Sequence, residues 1–395
     1  LLWKLLRNRD YMLLWAGQTL SELGSQAAAV AYPLLILALT GSAAKAGIVG
    51  LAKWLPVAVF AIPAGALADR LDRKRLMIAT DAIRLGGAAS IVVALWLARP
   101  AYLQVVIVAF LDGAMFVTSY ITERGALAQI VRPHEVQDAV AQNEARYFAA
   151  SIVGPPLGGV LFAAARALPF LGDVISFLCS MTATALTRTR FQLVPQKPTA
   201  RESFVAGARW LRGQPFFFAA AVLFAAGNPV YTGLYLLAIL LARAHGASAA
   251  AVGAMFAVVG VGGVLGAAVA GPARRRLAAR RVIIVNEWLL LGAVLLLLIA
   301  HSALAIGLLL AAGEFATPIS NSVVAGSRVA RTPDHLQGRV AAVSATIAMS
   351  LGWLGPLAVG FAYAHAGATP TILIIAAWVL ALGAAATLTP ALRHP

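Results

Sequence analysis

Charge is what this chain has least of. Only 12% of its 395 residues are charged, with 15 acids against 31 bases, where soluble domains carry roughly a quarter. A set of ordinary soluble domains is thereby excluded. Cysteine is nearly absent: Cys179, the only one, lies inside an apolar run. No intramolecular disulfide can form, and packing is its expected role. The six histidines and single cysteine show no ligand spacing, so neither a metal nor another cofactor is expected. No Gly-Lys-Ser or Gly-Lys-Thr phosphate loop occurs, and the glycine-rich GVGGVLG at Gly260 lies within a hydrophobic run. Neither ATP use nor enzymatic chemistry is expected. The first ten residues are basic, and the apolar run after them is too long and lacks a small-residue cleavage pattern, so no cleavable signal peptide is expected.

What fills the chain is hydrocarbon. Its hydrophobic content is 61%, and the apolar runs are long enough to cross a bilayer as helices. Twelve spans are expected, at 11–38, 46–68, 76–98, 102–122, 143–165, 168–188, 215–242, 249–272, 281–300, 303–325, 340–364 and 370–389. The fold class is therefore an all-α polytopic membrane protein. The net charge of +16 would suggest nucleic acid in a soluble protein, but the bases lie in short turns between apolar runs. No nucleic-acid partner is expected. Twenty-five of the 31 bases fall on one face, against Lys45, Arg99, Arg166 and Arg243 on the other, with Lys53 and Arg84 inside spans. This bias places both termini in the cytoplasm of a cell whose inner (plasma) membrane holds the protein.

The polar stretch 188–213, with Pro195, Pro198 and six bases, divides the spans six and six. Three parts are expected: a first bundle at 1–187, a cytoplasmic linker at 188–213 and a second bundle at 214–395. A shift near 200 residues aligns the halves. Pro133-His134-Glu135-Val136-Gln137 matches Pro333-Asp334-His335-Leu336-Gln337, and Gly154-Pro155 matches Gly355-Pro356. Arg75 through Asp81 to Gly86 likewise overlays Arg281 through Glu287 to Gly292, although the later copy has no counterpart of Asp69.

Between spans 2 and 3 stands GALADRLDRKR, Gly65 to Arg75. It resembles the corresponding loop of the major facilitator superfamily, matching at Gly65, Leu67, Ala68, Asp69, Arg70, Arg73 and Lys74. Asp72 departs, standing where that family usually has its second glycine. NRDYMLLWAGQTLSELGSQ at Asn8, TGS at Thr40, DVISFL at Asp173 and PDHLQGRV at Pro333 further resemble the bacterial drug-export branch that includes macrolide and enterobactin exporters. The resemblance covers the whole chain and implies two six-helix bundles that expose a central cavity to each side of the membrane in turn. It also implies a monomer whose partners are a small-molecule substrate, protons and the lipid bilayer.

Under that resemblance Gly65 lets span 2 approach a neighbour closely, and Asp69 faces the positive N-terminal end of span 11, latching the cytoplasmic side. Arg70, Arg73 and Lys74 belong to the same gate, with Glu123, at the end of span 4, as the expected partner of Arg73. The alternative is that the bases only enforce topology. Asp81 and Arg84, three apart on one face of span 3, are expected to neutralise each other partly. In SIVGPPLGG, Gly154, Gly158 and Gly159 form a small-residue face beside the kinking Pro155. The stretch resembles the antiporter signature of the superfamily, and the alternative is a generic packing helix.

Three acids sit near mid-span: Glu22, Asp112 and Glu314. A carboxylate at that depth is costly unless it faces water, pairs or takes a proton, so all three are candidates for proton coupling, Glu22 and Asp112 foremost. The alternative is a buried pair such as Glu22 with Lys53. Asp173 is expected to be structural. Asn228 and Tyr231, around Pro229 in span 7, would offer polar contacts to a substrate if that helix is broken. Met115 is among the apolar side chains that could line a cavity. An exporter of a lipophilic molecule is the leading reading, with an importing symporter and a transport-inactive receptor or scaffold as alternatives.

Overall fold

The computed structural model describes Leu5 and residues 7–191, 200–333 and 336–392. Asp334 and His335 of the repeat, and 192–199 of the expected linker, lie outside these. All twelve expected spans are present as helical segments long and apolar enough to cross a membrane, the eleventh, Gln337–Ala366, counted across a break at Ser350–Trp353. In lipid every backbone N–H and C=O must be satisfied within the chain, which a helix does by itself. The first half contributes α1 (Arg9–Thr40), α2 (Ala43–Arg70), α3 (Arg73–Trp96), α4 (Tyr102–Ile130), α5 (Val136–Ala164) and α6 (Leu168–Leu186). A shorter amphipathic helix follows, α7 (Ala200–Arg212), within the expected linker. The second half contributes α8 (Pro215–Ala244), α9 (Ala249–Arg276), α10 (Ala279–Leu296), α11 (Ala303–Arg331), α12 (Gln337–Met349), α13 (Leu354–Ala366) and α14 (Ala368–Leu388).

Local chemistry sets the ends. Asn8 caps α1 by accepting from the Tyr11 N–H at 3.1 Å, and Gly41 closes it in the left-handed conformation, φ 65°, which costs glycine little. Asp72 departs from the family pattern without loosening the turn. It adopts φ −61° and accepts from the Arg75 N–H at 2.8 Å, capping α3. An acid that caps a helix needs no left-handed backbone, so glycine is not required there.

The chain forms two compact units, one of Leu1–Gly41, Ala52–Lys197 and Ser248–Gly253, the other of Ser42–Leu51, Pro198–Ala247 and Ala254–Pro395. In the first, α1 packs on α5 and α6, and α3 on α4 and α6. Gly158 explains the closeness of α1 and α5, since a Cβ there would meet the Ala27 carbonyl, and a Cβ on Gly159 would meet the backbone of Gly253. The helix α5 runs unbroken through Pro155 and Pro156. In the second unit α10 packs on α11 and α14, α13 on α8, and α12 on α7 and α8.

Span 11 differs from expectation. It divides into α12 and α13, with Ser350–Trp353 in turns between them. The Gly352 carbonyl is taken up by the Thr232 hydroxyl of α8 at 2.6 Å, and the Trp353 indole donates to the Ser350 carbonyl at 3.0 Å. These side chains supply bonds that a continuous helix would have made to itself. Span 7 has no such break: α8 continues through Pro229.

Candidate functional site

The first unit buries an ionic cluster where α1, α2, α3, α4 and α6 meet. Arg84 of α3 donates from Nε to Asp112 of α4 at 2.7 Å and from Nη2 to the Ser25 hydroxyl of α1 at 2.8 Å. Lys53 of α2 binds the other oxygen of Asp112. Asp173 of α6, itself buried, lies 3.5 Å from Ser25 Oγ. The Arg84 guanidinium lies 4.3 Å from the centre of the Phe177 ring, and Lys53 lies 5.2 Å from that of Tyr32. Two acids, Asp112 and Asp173, thus accompany two bases, and the cationic heads rest on aromatic faces that tolerate them.

This arrangement adds partners to the expected ones. The charge of Arg84 acts on Asp81, as expected, while its direct bonds go to Asp112 and Ser25. Asp81 accepts from the Ser180 hydroxyl at 2.7 Å, while its Oδ1 is buried with no hydrogen-bond partner among the described residues. Lys53 engages Asp112, not Glu22. Asp112 therefore has its charge balanced by cations, which makes it an ion-pair member rather than a lone acid.

Glu22 lies elsewhere. It accepts from Gln26 Nε2 one turn along α1, at 2.8 Å, and lines a polar pocket with Gln18, Phe116, Tyr120 and Tyr147. The remaining carboxylates of that pocket are paired: Glu123 with Arg146 at 2.9 Å and Glu144 with Arg124. No ion pair reaches Glu22 among the described residues. Phe116, rather than the adjacent half-buried Met115, lines the pocket.

At the α2–α3 turn the pairing of Arg73 with Glu123 is also corrected. Arg73 donates to the Gly125 carbonyl at 2.9 Å and the Ala68 carbonyl at 3.2 Å, and pairs with Asp69 at 3.5 Å. Glu123 is occupied by Arg146 and by Asn143 Nδ2 at 3.0 Å. Lys74 donates to the carbonyls of Ala185 and Thr187, at 2.8 and 2.7 Å. Cations at helix C-termini satisfy carbonyls that have no partner inside the helix, so Lys74 ties α3 to the end of α6. Arg70 is exposed. Gly65 is not the site of a close approach, because a Cβ there meets no atom within 4 Å among the described residues.

In the second unit, Tyr231 of α8 receives hydrogen bonds from Asn286 Nδ2 of α10 at 3.1 Å and from the Thr317 hydroxyl of α11 at 3.3 Å. Asn228 lies beside Gly352, at the break in span 11. Glu314 packs against Gly263 of α9. Glu287, one residue after Asn286, is 4% exposed, and its Oε2 has no hydrogen-bond partner among the described residues. The internal repeat was the signal for Glu287, since it overlays that residue on Asp81. Nothing local announced Arg146 or Asn143 as the partners of Glu123, which lie on a different helix.

Comparison with known proteins agrees with this architecture. The profile of a family described as transmembrane secretion effector, MFS_3, matches residues 2–394. The chain is 28% identical over 401 residues to the multidrug efflux pump Tap of Mycolicibacterium fortuitum, covering 97% of this chain and 96% of that one. It is 30% identical over 183 residues to macrolide efflux protein A of Streptococcus pyogenes, covering 44% and 43%. Among solved structures, a bacterial homolog of the human lysosomal transporter Spinster superposes with a TM-score of 0.75 at 15% identity, covering 98% and 97%. That likeness shows the fold alone. The whole-chain profile match shows the family: this chain belongs to the transmembrane secretion effectors of the major facilitator superfamily.

Proposed function

We propose that this transporter exports lipophilic small molecules in exchange for protons, by alternating access of a central cavity. Export is supported by the near-full-length similarity to a multidrug efflux pump. The observation that carries proton exchange is Glu22: an acid lining a polar pocket with no ion pair among the described residues, while its neighbours Glu123 and Glu144 are paired. A carboxylate without a direct ion pair in a membrane interior, even one that shares its pocket with Arg84 and Arg146, is expensive and persists where it takes up and releases something positive. Glu314 is the corresponding candidate in the second half, and Asp112 holds the cluster around Arg84. In this reading 1–187 and 214–395 are the two rocking bundles and 188–213 their cytoplasmic linker. Asp69 latches the cytoplasmic side, and Asn228 and Tyr231 face substrate near the break in span 11. The protein works as a monomer in the inner (plasma) membrane with both termini in the cytoplasm.

The test is accumulation of a lipophilic fluorescent dye in inverted vesicles on imposing an acid interior. Accumulation that collapses with the pH gradient is expected. Dye uptake favoured by the opposite gradient would point to an importing symporter, and no dye movement under any gradient to a receptor or scaffold.

A further inference from the structure

The two halves treat the same repeat position differently. Asp81 lies eight residues after the first residue of α3, and Glu287 eight residues after that of α10, each about 12 Å along its helix at 1.5 Å per residue. Both are buried, and each has one carboxylate oxygen with no hydrogen-bond partner among the described residues. Around Asp81 the first unit supplies the Ser180 hydroxyl and, one turn along the same helix, Arg84. At the position equivalent to Arg84 the second unit has Leu290, buried at 3% exposure.

No cation replaces it. On α10, Arg280 and Arg281 lie in the first turn, and Arg280 donates to the Thr387 carbonyl at 3.1 Å. Arg281 precedes Glu287 by six residues, about 9 Å along the helix. Against α10 packs α14, whose Gly383 lies against Glu287 and which has no ionisable side chain from Ala368 to Leu388. The other neighbour, α11, carries Glu314 in its interior and Arg328 and Arg331 only in its last turn. From α8 comes Tyr231, hydrogen-bonded to Asn286, the residue before Glu287. Among the described residues no ion pair reaches Glu287.

We propose that Glu287 is a proton-binding site of the second half, acting in addition to Glu22. Burying a carboxylate without a countercharge exacts the whole cost of its charge, and a single proton taken from water to form the O–H removes it. A proton also needs no volume. That suits a side chain already 4% exposed and packed against Gly383, whereas a bulkier cation would need room. The proposal rests on the reading of the chain as a proton-coupled transporter.

The test has two arms. In the unaltered transporter, dicyclohexylcarbodiimide reacts with protonated carboxyls in apolar surroundings, so peptide mass spectrometry should find Glu287 modified at low pH and progressively less as pH rises. A Glu287 left unmodified at every pH would overturn the proposal without any variant having to fold. In vesicles, Glu287→Gln should lose pH-driven dye accumulation while retaining dye exchange without a gradient, and Glu287→Asp should recover part of the accumulation. A folded Glu287→Gln variant with full pH-driven accumulation would also overturn the proposal. If the unaltered protein shows no pH-driven accumulation, the antiport reading fails instead, and the two failures are told apart.

Discussion

Arg84 Nε and Asp112 Oδ1 meet at 2.7 Å with their side chains only 4% and 7% exposed, and Lys53 closes on the other oxygen of the same carboxylate. Such a group is structural in the strict energetic sense. Removing Asp112 leaves the buried Arg84 without its ion-pair partner, which costs about 3–5 kcal/mol.

Asp112→Asn and Glu22→Gln should therefore behave oppositely. The first should lower the melting temperature of the purified transporter markedly, because Arg84 and Lys53 lose the carboxylate they both pair with. The second breaks no ion pair among the described residues and keeps an oxygen for Gln26, so its stability should change by no more than about 1 kcal/mol. Its pH-driven accumulation should nevertheless fail. Melting curves beside vesicle uptake decide the matter. An Asp112→Asn protein that melts like the parent but has lost coupling would return Asp112 to the proton path.

The α2–α3 turn offers a second contrast. Arg73→Met removes a charged donor from the Gly125 and Ala68 carbonyls, at an expected cost of about 1.5–3 kcal/mol. Asp69 has a side chain 59% exposed and a 3.5 Å pair with Arg73, worth at most about 1 kcal/mol. Asp69→Asn should slow transport while the protein stays inserted, if the acid latches the cytoplasmic side. Unchanged flux at equal expression would reduce Asp69 to a topology residue.

Gly158→Val is expected to prevent close packing of α1 on α5. The new side chain would enter the space of the Ala27 carbonyl, and backbone cannot move aside as cheaply as a side chain, so a loss of about 3 kcal/mol or more is expected. Yield of monodisperse protein and its melting temperature are the measurements. A variant as stable as the parent would show that the helices separate freely.

Orientation is tested by labelling. With Cys179 first replaced by Ser, Arg212→Cys should react with a membrane-impermeant maleimide only from the cytoplasmic side, and Arg166→Cys only from outside, because basic turns are retained inside. Reversed labelling would invert every statement about the cytoplasmic face.

The sequence alone determined the membrane class, the twelve spans and the six-plus-six repeat, because a bilayer imposes one simple requirement on every residue that crosses it. A helix about 20 residues long and mostly apolar satisfies that requirement locally. The loop from Gly65 to Arg75, with the twelve spans, the repeat and the basic linker, carried the superfamily resemblance. Which acids are paired was settled only by tertiary structure. Asp81 and Arg84 share a helix face in the sequence, yet Arg84 reaches Asp112, 28 residues away, and Lys53 reaches it from 59 residues away. Arg73 prefers carbonyls of another helix end to Glu123, and span 11 breaks at Ser350–Trp353 with Thr232 of α8 bonded to the Gly352 carbonyl. Each depends on the rotation and depth of one helix against another. Hydropathy does not encode these quantities, because either side of a helix can be apolar enough for lipid, and only the packed neighbours decide where a buried charge finds its partner.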